Sequence, residues 1–262
     1  MQLETVAAIN AANLRSLRDH TFTRFNMKIT VVGDIDAATL GRVLDATFGH
    51  LPAGGPPLPT IDTAEVRSGQ GVIVRPLPQP QSLILFAAPG VQDEDPDWIP
   101  LAVANYILGG GSFSSRLMDE VREQRGLVYG VSTAPSVRDF SAMIRGSAQT
   151  ENEDVGQAIQ VMRDVMRRLY DEGPTQAEVD DAITYLTGSF ALDLDSNQKI
   201  ADVVHGYQAA GRDIDYINRR NDLIRAVTRE DVVRVIRRLF NPESFTFVVV
   251  GQPQGLPETP AN

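Results

Sequence analysis

Two rhythms of apolar residues alternate along this chain. The first is helical: Val6, Ile9, Leu14 and Leu17 recur loosely on one side of a segment from Thr5 to His20, which predicts a helix there. Asn26-Met-Lys-Ile-Thr-Val-Val-Gly33 is rich in residues that favour extended chain, and it predicts a strand closed by Gly33-Asp34. Asp36 then offers a side-chain cap to a helix carrying Leu40, Val43, Leu44 and Phe48 on one face. From Leu51 to Pro59 the pattern stops. Its four prolines and two glycines fit neither a helix nor a central strand, so a linker and a boundary are expected there.

Beyond the linker, 71–76 and 82–88 read as strands. Residues 97–108 form an almost wholly apolar helix that Gly109-Gly-Gly111 should end. A short helix over about 114–124 should stop at Gly126, a natural left-handed residue. Two more strands are expected at 127–137 and 141–148. Helices follow at about 153–171, 176–194, 197–210, 215–226 and 229–240, and 244–251 closes as a strand. Thr175 and Glu178 have the spacing of a capping box, and Thr228 is placed to cap the last helix. One echo runs through the chain: helix, Asn26, Val31-Val-Gly33 and Leu51-Pro near the start; helix, Asn241, Val249-Val-Gly251 and Leu256-Pro near the end. A repeat whose copies end alike accounts for it; so does a chance likeness between two helix-then-strand units.

Composition narrows the function classes. A net charge of −10 argues against nucleic acid or an anionic membrane as the main partner. No stretch approaches the roughly 20 apolar residues of a membrane span. The absence of cysteine excludes disulfides, thiolate ligands and a cysteine nucleophile. The three histidines, His20, His50 and His205, lack the one-turn spacing that a zinc peptidase uses to bring ligands to one helix face, so no metal site is expected. Gly110-Gly-Ser112-Phe-Ser114 misses the last glycine of a nucleophile elbow, and the Gly109–Gly111 run lacks the lysine of a phosphate loop.

What stands out is the block from Leu108 to Val131. A glycine run, expected to be a flexible loop, leads into a short charged helix that turns at Gly126 into a strand bearing Tyr129. Arg122 and Tyr129 could then share a surface as hydrogen-bond donors to peptide carbonyls or to an oxyanion. An arginine in a surface ion pair and a tyrosine half-buried on a sheet fit the same residues, and are the simpler reading of them.

This block resembles the insulinase/pitrilysin family of zinc metallopeptidases, the inverzincins with an H-x-x-E-H motif. The likeness extends to Asn26–Asp34 and to Glu172-Gly-Pro-Thr-Gln-Ala-Glu178, and covers most of the chain. It implies two similar α+β halves enclosing a chamber, each a mostly antiparallel sheet covered by helices on one side. The first half carries the zinc motif; the second is degenerate. Here the helix in the motif's place, Trp98 to Leu108, has neither histidine nor acid, so the chain is similar to the second half. The organisation so implied is 1–52 as the end of the first, metal-binding half, 53–68 as linker, 69–252 as the complete second half, and 253–262 as a loose tail.

The resemblance also implies roles. Tyr129 would donate to the carbonyl oxygen that becomes the oxyanion, Arg122 would hold a neighbouring carbonyl or carboxylate, and Gly109, Gly110, Gly111, Ser112 and Phe113 would form a substrate-binding loop. Arg125, beside the motif, is a possible competitor for the part of Arg122. Zinc and the general base would come from a partner half, on the same polypeptide or a separate subunit, and this chain alone would be inactive. The substrates would be peptides or unfolded segments in a bacterial periplasm or cytoplasm. A non-catalytic scaffold or assembly subunit of the same family is the alternative, and an unrelated α+β binding domain a third.

Overall fold

In the computed structural model, residues 6–55 and 60–257 are described. Thr5, the Pro56–Pro59 stretch of the expected linker and the last five residues of the expected tail lie outside them. In chain order the elements are α1 (Ala11–Thr21), α2 (Ala37–Phe48), β1 (Val72–Pro76), β2 (Gln81–Pro89), α3 (Trp98–Asn105), β3 (Gly130–Arg138), β4 (Ser141–Glu151), α4 (Val155–Glu172), α5 (Gln176–Gly188), α6 (Asn197–Ala209), α7 (Tyr216–Arg225), α8 (Arg229–Leu239) and β5 (Thr246–Gly251). They fall into two compact units, Met1–Ile61 with Ala191–Ile217, and Asp62–Phe190 with Asn218–Asn262.

In the first unit the opening helix starts later than its apolar pattern suggests. Asn10 has extended backbone and its side chain accepts from the Ala12 and Asn13 amides, while Asn13 bonds back to Asn10, a reciprocal cap that sets the start at Ala11. Asp36 caps α2 through the Thr39 amide at 2.9 Å, as its position predicts. The strand expected at Asn26–Gly33 does not form: the segment has no ladder partner, because the described sheet lies wholly between residues 72 and 251. Lys28 Nζ instead donates to the Gln208 and Ala209 carbonyls at the end of α6. None of α1, α2 and α6 buries a residue, and Leu14, Leu17, Phe25 and Val43 all stand exposed.

The second unit is a five-stranded sheet in the order β1-β5-β2-β4-β3, antiparallel except for the β1–β5 pair. One face is buried and the other is not. Along β2, Ser82, Ile84, Phe86 and Ala88 are buried while Leu83 and Leu85 are exposed. The buried face packs with α3, α4 and α8 into one core. α4 supplies Val155, Ala158, Ile159, Met162, Val165, Met166 and Leu169, the stripe expected of a helix lying on a sheet. Phe86 stacks on Phe247 with ring centroids 5.3 Å apart and covers Gly146 across the ladder, where a Cβ would sit 2.2 Å from the ring.

Polar clamps hold the helices in place. Thr175 and Glu178 form the expected capping box of α5, and Glu178 also takes two hydrogen bonds from Arg116, at 2.6 and 2.8 Å. Burial raises the Glu178 pKa, but the Arg116 and Thr175 bonds outweigh it and bring it down to about 2. Asp97, buried before α3, receives both Arg234 and Arg238 from α8. The fold is therefore the α+β half expected, a mostly antiparallel sheet with helices on one side.

Candidate functional site

The block from Leu108 to Val131 folds tightly, which corrects the flexible-loop expectation. α3 does not end at Gly109. It runs on as a wider turn over Tyr106–Gly110, with Gly111 N donating to Tyr106 O at 2.9 Å. Each glycine is there for closeness. A Cβ on Gly109 would lie 2.6 Å from Thr133 Oγ1, on Gly110 2.5 Å from Asn105 Nδ2, and on Gly111 2.8 Å from Tyr106 O. Asn105 is buried and donates to Thr133 O at 3.1 Å; its Oδ1 and the Thr133 hydroxyl are buried with no hydrogen-bond partner. Such atoms are costly, so the turn is held against β3 by shape more than by bonding.

Past the glycines the chain reaches the surface. Ser112 sits at φ 49°, a left-handed conformation uncommon for a side chain, and its carbonyl accepts from the Ser115 hydroxyl and amide. Phe113 is 63% exposed, with the Arg122 guanidinium 4.9 Å from its ring centre. Arg122 also pairs with Glu123 at 3.1 Å. It lies on a second wide turn, Met118–Glu123, where a short regular helix was expected. Gly126 follows at φ +64°, as predicted, and reverses the chain. Arg125 does not contend for the place of Arg122, because Glu120 takes it, through both carbonyl and carboxylate, together with Arg168.

Tyr129 stands at the end of the uncovered sheet face. Its amide donates to Gln149 O, and its hydroxyl donates to Glu151 Oε1 at 2.9 Å and accepts from Gln81 Nε2 at 3.1 Å. Gln149 completes the cluster with a 2.8 Å bond to Gln81. The bond to Glu151 raises the Tyr129 pKa further above neutral, where the phenol is a proton donor in any case. Among the described residues no hydrogen bond or ion pair joins Arg122 to Tyr129: one lies on Phe113, the other on Glu151. Gln81, Gln149 and Glu151 carry no sequence motif. The only available signal is their place on the open side of strand ends, which register alone reveals.

The residues do not fit a zinc ion. His20 Nδ1 is spent on Ser16 O, His205 Nδ1 lies 3.3 Å from Thr30 Oγ1, and His50 is exposed. Among the described residues no three of His, Cys, Asp or Glu are grouped to hold a metal, and no helix is long and apolar enough to cross a membrane.

A sequence profile described as the peptidase M16 inactive domain matches residues 8–186. The chain belongs to that family. Curated relatives include a non-peptidase homolog, YmxG, of Helicobacter pylori, 23% identical over 94% of this chain, and an uncharacterized zinc protease of Streptomyces coelicolor, 26% identical over 90%. This M16 inactive domain spans 57% and 52% of those two proteins, just over half of each. A solved M16 inactive domain from Pseudomonas fluorescens superposes with a TM-score of 0.85 at 27% identity, covering 99% of this chain and 61% of that one. A protease from Helicobacter pylori has the same fold, with a TM-score of 0.82 at 16% identity over 95% of this chain and 61% of its own.

Proposed function

We propose that this M16 inactive domain is the substrate side of a two-half zinc endopeptidase, with the metal and its general base supplied by a second half. The observation that carries the reading is Tyr129: a protonated, 60% exposed phenol held at the end of an open sheet face by Gln81 and Glu151. A substrate carbonyl arriving there takes over the bond now made to Glu151, and Arg122, resting on exposed Phe113, turns to a neighbouring carbonyl. Ser112 and Phe113 form the exposed tip of the substrate-binding loop, and Gly109 to Gly111 form its rigid base. The exposed apolar faces of α1 and α2 support the assignment of 1–52 to the end of the metal-binding half, which would cover them. Zinc peptidase names among the relatives agree with this role.

A second reading, a non-catalytic assembly subunit, is favoured by the non-peptidase name of one relative and by the present engagement of both donors with neighbouring side chains. The two separate on reconstitution with a zinc-bearing half of the family. Cleavage of an unfolded polypeptide that needs both parts, and falls in Arg122→Ala, supports the peptidase; a zinc-loaded complex that cleaves nothing supports the assembly role.

A further inference from the structure

The open sheet face carries a groove with a distinct chemistry at each end. Its side chains fall into rows set by the ladder register: Gln81 and Glu151 at one end, then Leu83 with Gln149 and Val250, then Leu85 with Ser147 and Val248, then Ala87 with Arg145, Thr246 and Ala134. Two cavities lie along these rows, one of 380 Å³ over Leu83 and Val250 and one of 560 Å³ over Leu85 and Val248. The larger reaches Arg145 on β4 and Arg67. Arg67 belongs to a strap across that end of the sheet, since Ala64 N bonds Phe140 O in the β3–β4 turn and Gly69 N bonds Ser244 O before β5.

Charge singles this face out. The chain has 34 acidic residues against 24 basic, yet no Asp or Glu lines either cavity. Neither Arg67 nor Arg145 has a carboxylate partner among the described residues, whereas Arg116, Arg125, Arg168, Arg234 and Arg238 are all ion-paired. Arg67 and Arg145, both exposed and both lining the same apolar cavity, offer guanidinium donors suited to an anion that brings apolar surface with it.

We propose that this groove binds an extended peptide, seating an Asp or Glu side chain of it between Arg67 and Arg145 and apolar side chains on Leu85, Val248 and Leu83. Side chains two apart in an extended chain face the same way, which matches the row spacing. Glu151 lies six residues along β4 from Arg145, roughly 20 Å at about 3.4 Å per residue. The acidic anchor therefore selects peptides whose carboxylate lies about six residues from the peptide bond presented to Tyr129. The inference rests on the substrate-side role proposed above, but its test needs no cleavage.

The experiment is fluorescence anisotropy with the full 262-residue chain. The probes are short peptides of alternating valine and alanine, blocked at both ends, with one glutamate in register with the valines or with glutamine in its place. The glutamate peptide should bind about 10- to 100-fold more tightly at low salt, and the margin should shrink as salt is added. Arg67→Gln and Arg145→Gln, both at exposed side chains, should each erase most of the margin while the glutamine peptide binds as before. Equal binding of the two peptides, or a margin indifferent to both substitutions, overturns the proposal. So does a free-acid glutamine peptide that outbinds the blocked glutamate one, which would assign the arginines to a chain terminus. Because cleavage plays no part, failure here leaves the reconstitution result standing, and the reverse also holds.

Discussion

In Gly109→Ala the new Cβ would lie 2.6 Å from Thr133 Oγ1, 3.0 Å from Thr133 N and 3.1 Å from Thr133 Cγ2. Heavy-atom contacts of this kind are at their best near 3.5–4.0 Å. Thr133 N cannot retreat freely, because β3 is laddered to β4 along its length. Relief must come from the turn at 106–110, which is itself packed in the core. Overpacking of this kind costs about 1–3 kcal/mol, against roughly 1 kcal/mol recovered by replacing a glycine in helical chain with alanine. The net expectation is a loss of up to about 2 kcal/mol. A flexible surface loop would give the opposite sign, a gain of about 0.4–1 kcal/mol from the stiffened unfolded chain. Urea unfolding followed through Trp98, the only tryptophan and a residue of α3, reads the difference. The midpoint should move to lower urea with the slope unchanged. Gly156→Ala, whose Cβ would meet nothing within 4 Å, is the control and should leave the midpoint unchanged or higher. A Gly109→Ala midpoint at or above that of the parent would refute the packed-turn account.

Acid should unfold the second unit through its paired carboxylates. Glu178 and Asp231 both have folded pKa values lowered to about 2, Asp231 by its bonds to Thr228 and Arg234, so the unfolded chain binds more protons as pH falls. Stability is then complete above about pH 4.5 and declines toward pH 2; a pH series of urea midpoints that stays flat across that window would contradict it. Arg116→Gln should cost roughly 1–2 kcal/mol at pH 7 and flatten the Glu178 share of the decline, because the ion pair is its main cause. Asp97→Asn should lower stability by about 2 kcal/mol, as it removes the buried carboxylate that Arg234 and Arg238 share; thermal unfolding checks it, and an unchanged transition would mean that α3 and α8 are held by packing alone.

Much of this fold is legible locally. The capping box at Thr175, the cap at Thr228 and the turn at Gly126 depend on residues within a few positions of one another, so sequence spacing reveals them, whereas Leu83 to Ala88 is apolar throughout and does not show which side of β2 is buried. Asn26–Gly33 reads as strand and is not one, because a strand is completed by a neighbour that its own residues cannot specify. The glycines at 109–111 suggest freedom, yet their cause is the approach of Thr133, Asn105 and Tyr106, two of which precede them on the same helix and one of which lies across the core. Arg122 and Tyr129 are visible through the family likeness. Gln81 and Glu151, which hold Tyr129, come into view only when the register of β2 against β4 is known.

The central claim is that Tyr129 serves hydrolysis at a metal this chain does not hold. The measurement that tests it most directly is the rate of peptide cleavage by a reconstituted complex with a zinc-bearing half, comparing the parent chain with Tyr129→Phe. The account predicts no cleavage by this chain alone. With the partner present, it predicts a rate about 10²- to 10³-fold lower in Tyr129→Phe, with zinc content unchanged. Cleavage by this chain alone that survives a chelator, or a Tyr129→Phe complex as fast as the parent, would contradict it.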